Sequence, residues 1–197
     1  MAGTLETIAH QLNPDAASCR AVIECSRGER GKFAYEPQIG GFVLKRLLPA
    51  GMSFPLDFGF VPSTKAEDGD PLDIMVVNDV PSPMGAVVPV RLIGVIEAEQ
   101  TEEGKTVRND RLLGVAEASL QFADVAGVED LAADFIDTLT AFWTHYEQLR
   151  GVDFKVLGVK DAAAAVKSVI AHEHSGGDKR LSKDRLTALG RRLSASD

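Results

Sequence analysis

In Glu67-Asp68-Gly69-Asp70-Pro71-Leu72-Asp73-Ile74-Met75-Val76-Val77, three aspartates crowd a turn that runs straight into an apolar strand. Gly69 and Pro71 exclude a regular helix across Asp68, Asp70 and Asp73. The run Ile74-Met75-Val76-Val77 then reads as a buried strand. Carboxylates gathered where a turn enters a strand repel one another, and their pKa values split unless a cation neutralises them. Hard oxygen donors near a turn suit Mg2+ or Mn2+, and an ion held so can activate water and screen a phosphate. Taken alone, the stretch reads more commonly as an acidic surface turn. It is not a calcium-binding helix-loop-helix segment, because no Glu closes it at the required spacing.

Outward from this turn, the 197 residues predict one domain with a sizeable core. The apolar fraction of 45% and charged fraction of 25% are those of a globular protein. No apolar run approaches a bilayer span, and the first fifteen residues lack the blocks of a signal peptide, so a cytoplasmic protein without membrane partners is expected. Net charge −8 argues against a general nucleic-acid binder. The charge is uneven: residues 178–197 carry six Lys or Arg and three Asp, a net +3, leaving −11 elsewhere. Cys19 and Cys25 are too few for a disulfide framework and read as small buried or edge residues.

Punctuation and periodicity give the elements. A short helix is expected over Thr4–Leu12, and a strand carrying Glu24 over Ala21–Cys25. Lys32–Glu36 and Phe42–Leu48 read as a strand pair about Gly40-Gly41. Further strands are expected over Leu72–Val77 and Val87–Glu97. A hairpin turn at Thr101–Gly104 would be followed by a return at Arg111–Val115. Leu131, Phe135, Leu139, Phe142, Tyr146 and Leu149 recur at helical spacing up to Gly151. A strand over Phe154–Val159 and a second helix over Asp161–His172, with Asp161 as N-cap, complete the body. Ser175-Gly176-Gly177 reads as a linker, and Leu186, Leu189 and Leu193 mark a helical face in the basic tail. The expected organisation is an N-terminal extension over 1–20, a domain over 21–174 and a linker with tail over 175–197. The pattern suggests an α+β domain on a β-barrel or strongly curved sheet.

Several residues around the turn carry a resemblance. Glu24 in Val22-Ile23-Glu24, Lys32-Phe33, Tyr35-Glu36 and Lys45-Arg46 precede it, with Met52, Phe54-Pro55 and Phe58-Gly59-Phe60-Val61-Pro62 between. Arg91, Gly94-Val95, Phe142-Trp143 and His145-Tyr146 follow it. This ordered set, from about Ala21 to His172, resembles the soluble family I inorganic pyrophosphatases, for which Asp68-Gly69-Asp70-Pro71-Leu72-Asp73 matches the signature. The resemblance implies a small five-stranded OB-like β-barrel with flanking strands and two packed C-terminal helices. It implies pyrophosphate hydrolysis with Mg2+, or Mn2+, in a cytoplasmic homo-oligomer. Asp70 would be the base. Asp68, Asp73, Glu24 and Asn109 would be metal ligands. Lys32, Arg46, Arg111 and Tyr146 would hold phosphate oxygens.

The departures from the family pattern cluster at the site. Ala34 and Gln100 stand where the pattern has carboxylates, Asn109 where it has an aspartate, and Arg111 where it has a lysine. Phe54 and Phe58 replace tyrosines, and Glu147 replaces a lysine next to Tyr146. Asp110 is expected on the opposite strand face from Asn109. Glu147, about 100° round the helix from Tyr146, is expected at the cleft rim, opposing an anion. These changes keep two alternatives in view: a domain that binds phosphate compounds without turnover, and a hydrolase of another phosphoanhydride.

Overall fold

A computed structural model of the chain describes residues 4–174. Nine strands and two α-helices follow in order: β1 (Ser18–Cys25), β2 (Gly31–Glu36), β3 (Gly41–Leu47), β4 (Asp57–Phe60), β5 (Asp73–Val77), β6 (Val87–Glu102), β7 (Lys105–Arg108), β8 (Arg111–Ala116), α1 (Ala133–Leu149), β9 (Asp153–Asp161) and α2 (Ala162–Ala171). Strands β1, β4, β5, β8 and β6 pair in that order, and β6 pairs back onto β1, so five strands close a ring. All these pairings are antiparallel except β5–β8, which is parallel. The sixteen-residue β6 also carries β7 and β9 outside the ring. Register shifts near Leu92–Gly94 and Glu97–Ala98 let so long a strand curve between partners.

The continuous apolar run of β5 has a packing cause. Ile74 and Val76 enter one core cluster with Leu112, Val90 and the α2 residues Val166, Val169 and Ile170. Met75 and Val77 enter a second, with Phe54, Phe58, Leu113 and the α1 residues Leu139, Trp143 and Tyr146. A strand covered on both faces has no polar side to alternate with. Each fully buried Leu or Ile contributes about 1.5–3 kcal/mol relative to exposure. Gly59 permits the tightest approach: a Cβ there would lie 1.8 Å from the Val22 carbonyl oxygen, so β4 could not sit on β1 with any larger residue.

The β2–β3 hairpin lies off the ring and is held to it by aromatic packing. Tyr35 meets Phe42 edge-on with centroids 5.4 Å apart and lies 6.4 Å from Phe60. On α1, Leu139, Trp143 and Tyr146 are the buried apolar residues; Leu149, expected on the same stripe, is 53% exposed. Trp143 Nε1 donates to Met75 Sδ at 3.0 Å, which ties α1 to β5. Asp161 caps α2 by accepting from the Ala164 amide at 2.8 Å.

Three expectations are corrected. Thr4–Leu12 is not an α-helix: only Leu5–Thr7 forms a 3-10 turn. The chain is already extended at Ile8 and takes a positive φ of 50° at Gln11, and the His10 carbonyl accepts from the Arg20 amide. The return from the Thr101–Gly104 turn begins at Lys105 rather than Arg111, as β7. Glu102 pairs with Lys105, and Glu103 and Gly104 supply the positive φ values of the turn. Third, β1 begins at Ser18, and its first residues already pair with β6. Cys19 and Cys25 are buried and free; burial pushes their thiols up to about 12 and about 11 respectively. The basic tail expected to be helical lies outside the described residues.

Candidate active site

Glu24, Lys32, Arg46, Asp68, Asp70, Asp73, Asn109, Arg111 and Tyr146, singled out from the sequence, all line one cleft of about 580 Å³. The hairpin brings two cations: Lys32 and Arg46 are direct cross-strand partners. Like charges placed opposite each other on a sheet cost stability. They are accommodated by different neighbours. Lys32 Nζ bonds Glu24 Oε2 at 3.0 Å and lies 4.2 Å from the centre of the Phe58 ring. Arg46 Nε donates to the Tyr146 hydroxyl at 2.9 Å. Glu24 is buried, and its other oxygen accepts from the Tyr35 amide at 2.8 Å. Burial pushes its carboxyl up, and Lys32 opposes that shift.

The acidic turn forms the opposite wall. Gly69 takes φ +98°, a value an L side chain rarely adopts, and Asp68 accepts from the Asp70 amide at 3.1 Å. Asp70 itself is exposed. Among the described residues no cation lies within ion-pair distance of Asp68 or Asp70. Partial burial pushes both carboxyls above their usual range, and the charge of Asp73 pushes in the same direction.

Asp73 opens β5 and sits beside Arg111 in the parallel ladder. Arg111 Nη1 meets Asp73 Oδ2 at 2.6 Å and also donates to Asn109 Oδ1. Asn109 Nδ2 donates in turn to Gln100 Oε1 at 2.6 Å. The guanidinium is buried and stacks 4.6 Å from the Trp143 ring, while its Nε has no partner among the described residues. Asn109 and Gln100 therefore face the cleft, whereas Asp110 turns away to accept from the Ala98 amide and pair with Arg108.

Glu147 departs from expectation. It is not at an exposed rim: its side chain is 4% exposed and pairs with Arg150, the C-cap of α1 three residues on. Burial pushes its carboxyl up; Arg150, then Arg111, then Arg46 oppose the shift. Arg150 also lines the cleft and lies 5.7 Å from the Tyr146 ring centre. Sequence reading had missed Arg150. The available signal was opposite charge three residues after Glu147, a spacing that puts both on one helix face.

The carboxylates of the acidic turn suit a hard divalent cation in donor chemistry and charge. Among the described residues no three His, Cys, Asp or Glu side chains already converge as a cage. The fit is to an ion that takes one or two carboxylates and completes its shell with water and phosphate oxygens, as Mg2+ does. The cleft thus holds carboxylate oxygens together with the cations Lys32, Arg46 and Arg111.

The profile of the inorganic pyrophosphatase family matches residues 21–175. Inorganic pyrophosphatase from Thermus thermophilus is 35% identical over 153 residues, covering 76% of this chain and 85% of that one. The one from Synechocystis is 32% identical over 156 residues, covering 79% and 90%. In three dimensions, the crystal structure of the Thermus thermophilus enzyme superposes with a TM-score of 0.79 at 31% identity, covering 86% of this chain and 97% of that one. The Helicobacter pylori enzyme superposes with a TM-score of 0.75 at 28% identity, covering 82% and 95%.

Proposed function

The chain belongs to the family I inorganic pyrophosphatases, and from that premise we propose that it hydrolyses inorganic pyrophosphate to two phosphates with Asp70 as general base. One observation carries this reading: the Asp70 carboxylate, with no ion-pair partner among the described residues, lines the same cleft as Lys32, Arg46, Arg111 and Tyr146. A free carboxylate can accept a proton, and a row of cations and a phenol can hold a polyanion while it does so.

Asp68 and Asp73 would hold the divalent cation, Mg2+ or Mn2+. Bound there, such an ion offsets substrate charge and lowers the pKa of water. Glu24 and Asn109 are the weaker donors, because both Glu24 oxygens and the one Asn109 side-chain oxygen are already engaged, whereas Arg111 meets only Oδ2 of Asp73. Asp70 takes the proton of the water that attacks one phosphorus, and the bridging P–O bond breaks with its electrons leaving on the second phosphate. Arg46 suits bidentate contact with phosphoryl oxygens. Its bond to the Tyr146 hydroxyl fixes both groups at the substrate side of α1. Lys32, steadied between Glu24 and the Phe58 ring, presents a point charge beside it. Positioning and charge stabilisation supply most of the catalysis of phosphoryl transfer, so this arrangement bears directly on rate.

Among the described residues no helix is long and apolar enough to cross a membrane. A cytoplasmic homo-oligomer remains part of the proposal and rests on the sequence and the family. The test is phosphate release from pyrophosphate with Mg2+ or Mn2+, for the natural chain and for Asp70→Asn. Equal rates would remove Asp70 from the chemistry, and no release by either protein would remove the reaction.

A further inference from the structure

Glu147 and Arg150 stand outside every role assigned above, yet both line the cleft. A buried carboxylate beside an anion site opposes the substrate unless cations neutralise it. Here Arg150 touches it directly, and Arg111 and Arg46 are close enough for their charges to be felt. The pair is asymmetric in exposure: 4% for the Glu147 side chain and 21% for that of Arg150. The anion is sealed in, while the cation reaches the open space. Arg150 also lies against the Tyr146 ring, whose hydroxyl binds Arg46, so three adjoining groups line this part of the cleft.

Resting on the pyrophosphatase reading, we propose that Arg150 is the phosphate-binding cation contributed by α1 and that Glu147 is the residue that positions it. The lysine that the family pattern has at 147 is thus compensated one helical turn away. A guanidinium presents several donors in a fixed plane, and with one edge held by Glu147 its remaining donors can address phosphate oxygens. Glu147 then attracts the substrate indirectly instead of repelling it.

The two readings of Glu147 predict opposite signs. If Glu147 opposes the substrate, Glu147→Gln lowers the KM for pyrophosphate. If it positions Arg150, Glu147→Gln raises KM a few-fold with little change in kcat. Arg150→Met keeps the stem over Tyr146 and removes the charge; KM should rise about tenfold to a hundredfold, the worth of charged hydrogen bonds. Arg150→Lys should recover part of the loss, which a purely structural role would not show, and it leaves Glu147 with a cation if Met folds poorly. The double variant Glu147→Gln/Arg150→Met should be no worse than Arg150→Met alone, because Glu147 acts through Arg150.

Binding of inorganic phosphate with Mg2+, measured by calorimetry, gives a readout independent of turnover. Loss of phosphate affinity in Arg150→Met supports the assignment even if pyrophosphate proves not to be hydrolysed. An unchanged KM and phosphate affinity in Arg150→Met, a lower KM in Glu147→Gln, or no phosphate binding by the natural chain would overturn it.

Discussion

The acidic turn and the inner face of α1 both put carboxylates into the same cleft, but Asp70 stands open without a cation while Glu147 is buried against Arg150. The two walls were shaped by different costs. On the turn, Gly69 and the Asp68–Asp70 bond hold the backbone, so the Asp70 side chain is spared any structural task. On α1, an unpaired buried charge would cost several kcal/mol, and Glu147 has its partner in Arg150 at the helix C-cap. Arg111 stands between the walls: its guanidinium joins Asp73 to Asn109 and packs on Trp143 of α1. An open charge in a cleft is available to reacting groups, whereas a closed one sets the position of its neighbours.

If that division holds, substitutions on the turn change rate without changing stability. Asp70→Asn should lower kcat by about 10²–10⁴, the usual worth of a positioned base. Its urea midpoint should stay close to that of the natural chain, because an exposed side chain free of partners contributes about 0.5 kcal/mol or less. A large drop in midpoint together with activity would erase the contrast between the walls.

On the α1 wall the effect should move to stability. Glu147→Lys removes the partner of Arg150 and places a further cation near Arg46 and Arg111. Breaking a buried pair in this way costs about 3–5 kcal/mol, read as a lower urea midpoint. A rim residue would instead have tolerated the change and tightened pyrophosphate binding at low salt, so a stable variant with lower KM would return Glu147 to the surface. Arg111→Leu should cost somewhat less, about 2–3 kcal/mol, because Asp73 at 26% exposure can be partly rehydrated.

This contrast marks how far the sequence could be read. Local grammar was visible: Gly69 and Pro71 exposed the turn, the period of α1 exposed Leu139 and Tyr146, and Asp161 announced α2. The wider family resemblance pointed to nine residues, and all nine line one cleft. Partnerships were hidden, because they depend on contacts far apart in the chain. Nothing local says that β6 pairs with β1, β7, β8 and β9, or that β5 and β8 run parallel. Trp143 is an inward residue of α1 because Met75 and Phe58 meet it from other strands. For Glu147, the helical angle from Tyr146 was sound. What failed was the assumption that its direction meant exposure, since Arg150, three residues on, closes over it.

The smallest expected effect lies where the walls meet, at Asn109. Its Oδ1 accepts from Arg111 and its Nδ2 donates to Gln100, so it is a neutral link between a cation and an amide. Asn109→Asp would add a carboxylate beside Asp73, which by itself favours a divalent cation. Arg111 already lies against that position and would neutralise much of the new charge. The Gln100 amide can flip to donate to the new oxygen, so no polar group is left unsatisfied. The net gain should be of the order of an ordinary partly exposed charge contact, about 0.2–1 kcal/mol, which is a fall of up to roughly fivefold in the Mg2+ concentration giving half-maximal activity. Titrating activity against Mg2+ at fixed pyrophosphate measures it. An unchanged midpoint would mean that Arg111 absorbs the charge entirely and that Asn109 belongs with the closed wall, while a shift much beyond fivefold would move it to the open one.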